Sequence, residues 1–162
     1  MSRELLSVEG TVTPSCSKSH ITYVIHLHRP CRELHVEFAY EPKILEDREK
    51  SRAAIGDALA LFVEESELEA SRTNWERYYP LKNLLTLSFD DENGFRGAAH
   101  RHDPVQRHII AENEASPGLI RGIIPRGQLR ITISVHCVIT DECRYRLRVR
   151  EGGDDREAVA PV

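Results

Sequence analysis

The sequence predicts a mainly β protein: an antiparallel β-sandwich, jelly-roll-like or pre-peptidase-C-terminal-like, with one amphipathic helix inserted around residues 46–70. Three observations predict it. Apolar and polar residues alternate with period two in several short runs; Asn-Gly, Ser-Pro-Gly and Pro-Arg-Gly turns cut those runs apart; and the period lengthens to that of a helix in one place. The 162 residues suffice for one domain with a buried core, expected over 1–150. The acidic, glycine-bearing end EGGDDREAVAPV, residues 151–162, has no apolar period and is expected to be disordered.

In order along the chain, a weak strand is expected over Ser7 to Thr13. Ile21, Tyr23, Ile25 and Leu27 then fall on one side of a strand from His20 to His28, and Leu34, Val36, Phe38 and Tyr40 on one side of the next. Pro30 separates the two and Pro42 ends the second, because proline cannot donate to a ladder. Ile55, Leu59, Phe62 and Val63 recur at helical spacing among Glu, Arg and Lys, which predicts a single helix from Glu46 to Ala70 lying over part of the sandwich. Trp75, Tyr78 and Tyr79 follow, either packing the helix end or offering an aromatic docking patch. Strand character returns with Leu85, Leu87 and Phe89 inward and Thr86, Ser88 and Asp90 outward, before a turn at Asp91-Glu92-Asn93-Gly94.

The last two strands share a parity. Leu129, Ile131, Ile133, Val135 and Cys137 form one apolar face, and Cys143, Tyr145, Leu147 and Val149 the other. Pairing them as a hairpin around Val138 to Glu142 sets Cys137 opposite Cys143, Val135 opposite Tyr145 and Ile133 opposite Leu147, with both thiols reduced. That register aligns His136 with Arg144, Ser134 with Arg146, Thr132 with Arg148 and Arg130 with Arg150 on the reverse face. The result is a basic stripe whose guanidinium forks suit a phosphate or carboxylate. The alternative is a solvated face whose arginines pair with acids such as Glu33 and Glu37. Candidate ligand-binding residues are therefore Arg130, Arg144, Arg146, Arg148, His136 and Trp75.

Two histidine groups could hold zinc or manganese. If the second and third strands formed a simple hairpin, His26 would oppose His35 and His28 would oppose Glu33, gathering three imidazoles and a carboxylate. The other group is His100, His102 and Asp103 in AAHRHD. For both, surface histidines without a ligand are the alternative, and no cofactor is expected. Cys16, Cys31, Cys137 and Cys143 show no CxxC spacing. Nucleophile-elbow, phosphate-loop, dinucleotide and HExxH motifs are all missing.

A net charge of -4 gives no global pull toward nucleic acid or anionic lipid. Neither a secretory signal core nor a bilayer-spanning apolar run is present, so a cytoplasmic, reduced setting is expected.

The strings NLLTLSFDDENGFRGAAHRHD and ASPGLIRGIIPRGQLRITISVHCVITDECRYRLRV, preceded by ITYVIHLHRPCRELHVEFAYEP, carry a family resemblance. Phe-Arg-Gly after an Asn-Gly turn, Ser-Pro-Gly, Pro-x-Gly entering a long strand and a terminal Tyr-x-Leu-x-Val together resemble the N-terminal β-sandwich accessory domain of PHP-type metal-dependent phosphoesterases of the carbaryl-hydrolase-like group. The resemblance covers His20 to Val149 apart from the helix. It implies a binding or stabilising role, since the family's metal ligands belong to a following catalytic domain that these residues do not include. The expected function is a non-catalytic module binding a protein partner or an anionic or carbohydrate ligand, beside a separate PHP-type hydrolase. A small metal-dependent hydrolase and a structural oligomer subunit are the alternatives.

Overall fold

A computed structural model describes residues 2–152. Two four-stranded antiparallel sheets pack face to face, built from β1 (Arg3–Val12), β2 (Ser19–Leu27), β3 (Glu33–Glu41), β6 (Leu84–Asp91), β7 (Gly94–Ala99), β8 (Val105–Ala111), β9 (Gly127–Cys137) and β10 (Cys143–Glu151). Sheet A has the order β1-β10-β3-β8 and sheet B the order β2-β9-β6-β7. The period-two runs become these strands because each has one apolar face to bury. Leu34, Val36 and Phe38 meet Leu85, Leu87, Phe89, Ile131, Ile133 and Leu147 in one core, all nearly inaccessible to water. Burying each such side chain favours folding by about 1.5–3 kcal/mol.

The inward parity of the last two strands is as expected, but the hairpin is not. β9 lies between β2 and β6 in sheet B, while β10 lies between β1 and β3 in sheet A. Cys137 is therefore beside Leu84 and Cys143 beside Val12, and the expected Cys137–Cys143, Val135–Tyr145 and Ile133–Leu147 pairs do not form. Residues 138–142 cross between sheets instead of turning a hairpin. Parity alone cannot separate these cases, because two facing sheets also bury both odd-numbered sets. The β2–β3 hairpin fails for the same reason: His26 pairs with Gln128 in sheet B, whereas His35 pairs with Arg150 and Ile109 in sheet A.

The expected single helix is two. Asp47 caps α1 (Arg48–Phe62) by accepting from the Lys50 amide at 3.0 Å, and the chain is extended at Val63 and Glu64 before α2 (Glu65–Thr73). Ile55, Leu59 and Trp75 form a small core of their own, apart from the sandwich. A two-stranded pair, β4 (Ile44–Leu45) with β5 (Leu81–Lys82), closes the base of this insertion.

Two polar side chains join the parts. Asn83, wholly buried, donates to the Pro42 carbonyl and the Thr140 hydroxyl at 2.8 Å each and accepts from the Ile139 amide at 2.7 Å. It ties the insertion's base to the crossover from β9 to β10. Arg96 on β7 is held by Asp91 at 2.7 Å and donates to the carbonyls of Ile120 and Gly122 at 2.8 Å each. It thereby fastens the loop from 112 to 126 along the β7 edge, where Gly97 and Gly118, with φ of 111° and 87°, bring the two backbones together. Of the predicted tail, Glu151 closes β10 and Gly152 follows it; residues 153–162 lie outside the described residues. No helix among the described residues is long and apolar enough to cross a membrane.

Candidate functional site

The outer face of sheet A is built by alternation. With the odd-numbered residues of β10 in the core, Arg144, Arg146, Arg148 and Arg150 must point outward. The four β10 members of the expected stripe thus stand together, but Arg130 and His136 belong to sheet B on the opposite side of the molecule. The expected alignment of Arg130 with Arg150 and of His136 with Arg144 does not occur, since Arg130 lies between Val24 and Asp90.

Each arginine of the stripe has a carboxylate: Arg144 with Glu142 at 3.0 Å, Arg146 with Glu9 and Arg148 with Glu4 at 2.9 Å each, and Arg150 with Glu37 at 2.8 Å. The outer face is a ladder of alternating charge. The first three pairs are solvent-exposed while Arg150 and Glu37 are half-buried, and exposed pairs contribute only about 0–1 kcal/mol each, so a ligand can exchange for the partners of Arg144 and Arg146 at little cost.

At one end of this ladder the surface sinks. Ala39 stands opposite Arg146 on one side and Val105 on the other, and its small side chain leaves a gap between longer neighbours. The result is an open depression of about 680 Å³, with Arg144 and Arg146 along one side, Pro104 and Val105 along the other, and Glu9, Glu41 and Lys43 at its margins. Val105 is 70% exposed, an unusual state for a valine in a strand. Lys43 donates to the Tyr40 hydroxyl at 2.8 Å and the Asn83 carbonyl at 2.7 Å, and burial lowers its pKa while nearby Asp103 opposes that shift. The depression thus offers two exposed guanidinium forks, one ammonium held by two hydrogen bonds, and an apolar wall.

The wall explains the AAHRHD segment. Gln106 donates to the carbonyls of Asp103 at 2.7 Å and Arg101 at 3.3 Å, while the amide of Tyr40 donates to that of Pro104 at 2.9 Å. The loop is shaped by its backbone. His100 and His102 lie instead, like His20, within electrostatic reach of His136 on the outer side of sheet B. His136 accepts from or donates to the Thr86 hydroxyl at 2.7 Å, and its pKa is lowered by burial first and then by those three imidazoles. Of the other predicted group, His35 contacts Glu33 at 2.6 Å in sheet A, while His26 and His28 are exposed on the sheet B side. Among the described residues no three His, Cys, Asp or Glu side chains are arranged to hold a metal ion.

Trp75 is 8% exposed and lines, with Glu49, Arg52, Asp57 and Arg72, a second open depression of about 550 Å³. It packs edge-on to Tyr79 at 6.1 Å between centroids, with the Arg48 guanidinium 5.1 Å from its ring. Sequence reasoning missed Ala39, Lys43, Pro104 and Val105. The exposed valine breaking the polar face of its strand was the one signal that could have found them.

No family model matches the chain, and no curated protein does. A solved structure that is similar, the crystal structure of a protein from Sulfurospirillum deleyianum, has 9% identity over 88% of this chain and 96% of that one, with a TM-score of 0.30. Similarity at that level leaves function to be argued from the geometry.

Proposed function

We propose that this protein is a non-catalytic binding module, and that the depression on sheet A receives a carboxylate-bearing segment of a protein partner. The observation that carries this is the pairing of Arg144 and Arg146, whose present partners are exposed and exchangeable, with the exposed apolar wall of Pro104 and Val105 across a gap of about 680 Å³. Guanidinium forks bind carboxylates in two-point geometry, and the wall adds apolar area beside them. The resemblance to an accessory domain of PHP-type phosphoesterases favours the same role, beside a separately encoded hydrolase. Consecutive β2 and β3, and consecutive β9 and β10, alternate between sheets, which supports a jelly-roll reading of the sandwich. Four free cysteines accord with a reducing, cytoplasmic setting.

The test is fluorescence anisotropy with labelled probes: a glutamate-rich peptide carrying one phenylalanine, the same peptide with glutamine for glutamate, and a sulfated oligosaccharide. The acidic peptide should bind, and Arg144→Gln with Arg146→Gln should weaken it by tenfold or more, while Arg130→Gln on the opposite sheet leaves it unchanged. Equal affinity in all three proteins would remove the depression from consideration. Preference for the oligosaccharide would move the ligand class to carbohydrate.

A further inference from the structure

The insertion bears a feature that its own packing does not require. Leu61 and Phe62, at the end of α1, are 78% and 86% exposed, more than any other large apolar side chain among the described residues. Ile55 and Leu59 already serve the contact with Trp75. Leu61 and Phe62 project away from that contact as a knob.

The segment that carries the knob is acidic, with Arg52 and Arg72 at its two ends beside Asp57 and Glu69. From Ala53 to Ser71 there is no lysine or arginine, while Asp57, Glu64, Glu65, Glu67 and Glu69 supply five carboxylates. The carbonyl end of α1 adds partial negative charge, and its last turn has no basic residue to offset it. A knob of this kind calls for an apolar recess with basic groups on its rim. The same chain has one, in the depression between Arg144 and Arg146 on one side and Pro104 and Val105 on the other, where Lys43 adds a third cation and the carboxylates Glu9 and Glu41 stand at the margins.

We infer that the partner of the depression is a second copy of this chain, which inserts Leu61 and Phe62 against Val105 and Pro104 and brings its Glu64 and Glu65 to Arg144 and Arg146. This rests on the depression being a binding surface for acidic segments. Arg144 and Arg146 are 70% and 69% exposed in their present pairs, so they can turn to the incoming carboxylates without a buried charge being stranded. The contact joins two different surfaces. Each association therefore leaves a free knob at one end and a free depression at the other, and the assembly either closes as a ring or grows as a chain.

That asymmetry provides the experiment, sedimentation velocity on the full chain. The wild type should associate with rising concentration, and less so as salt is raised. Leu61→Ser with Phe62→Ser removes the knob; Arg144→Glu with Arg146→Glu reverses the rim. All four positions are exposed, so both variants should fold, as circular dichroism would verify. Each variant alone should remain monomeric. Mixed in equal amounts they should form a dimer and nothing larger, because one keeps the depression and the other keeps the knob. A wild type that stays monomeric overturns the inference, as does a mixture that stays monomeric when the wild type associates. If the acidic peptide still binds at the depression in either case, only the identity of the partner falls; if peptide binding is lost as well, the binding reading falls with it.

Discussion

His108 points inward from β8 with Nε2 against the Gln106 amide oxygen at 2.8 Å, and its Nδ1 is buried without a hydrogen-bond partner among the described residues. Its pKa is lowered from the usual 6.5, first by burial and then by Arg101. The unfolded chain therefore takes up a proton around that value while the folded protein resists it. By linkage, stability is complete above about pH 6.5 and falls as the pH drops from there toward the folded value. The urea midpoint should be lower at pH 5 than at pH 7. His108→Gln, which keeps a polar group toward Gln106 but cannot titrate, should reduce that difference; an identical difference in the variant would show that His108 does not supply it. Residues of this kind were not legible in the sequence. His108 and Asn83 are polar groups buried on strands or at strand ends, and each contradicts the pattern by which inward positions are recognised. Gln106 breaks the pattern in the same way on β8.

Among the elements, strands were read well and their partners poorly. Leu85, Leu87 and Phe89 face the core as expected, and Gly94, with φ of 126°, completes the β6–β7 turn. Alternation reports which way a side chain points within a strand, and carries no information on which sheet the strand joins. The helix between 46 and 70 was legible as a helix, but its break at Val63 and Glu64 was not, because the apolar spacing continues through Val63. The insertion has its own consequence for stability. Trp75→Ala removes the largest member of a three-residue core, at a cost of about 3–5 kcal/mol for a buried Trp. That loss should melt α1 and α2 while leaving the sandwich intact. Hydrogen exchange would show it as lost protection in 48–73 with protection retained in β9 and β10. Equal loss in both regions would mean that insertion and sandwich fold as one unit.

At the scale of the molecule, a β-sandwich with a helical insertion was legible, and the partition of its strands was not. The arginine stripe illustrates the difference: its β10 half is present, yet Arg130 and His136 sit on the far face because the crossover places β9 and β10 in opposite sheets. The candidate site needed that partition. Ala39, Val105 and Arg146 come from three strands, and nothing local in the sequence says that they share a row.

The same crossover bears on synthesis. β9 is the strand that joins β2 to β6, and β10 is the strand that joins β1 to β3, so both sheets wait for residues 127–151 to leave the ribosome. Before residue 127 emerges, β1 and β2 have no strand to pair with; among the long strands only β3 with β8 and β6 with β7 can pair early. A nascent chain stalled at 126 should be digested by protease as an unfolded polypeptide, and one stalled well beyond 151 should resist. Resistance at 126 would show that β3–β8 and β6–β7 stand without their central strands. Until residues 127–151 are made, then, this protein is a chain of exposed apolar strands, and those residues turn them into a core.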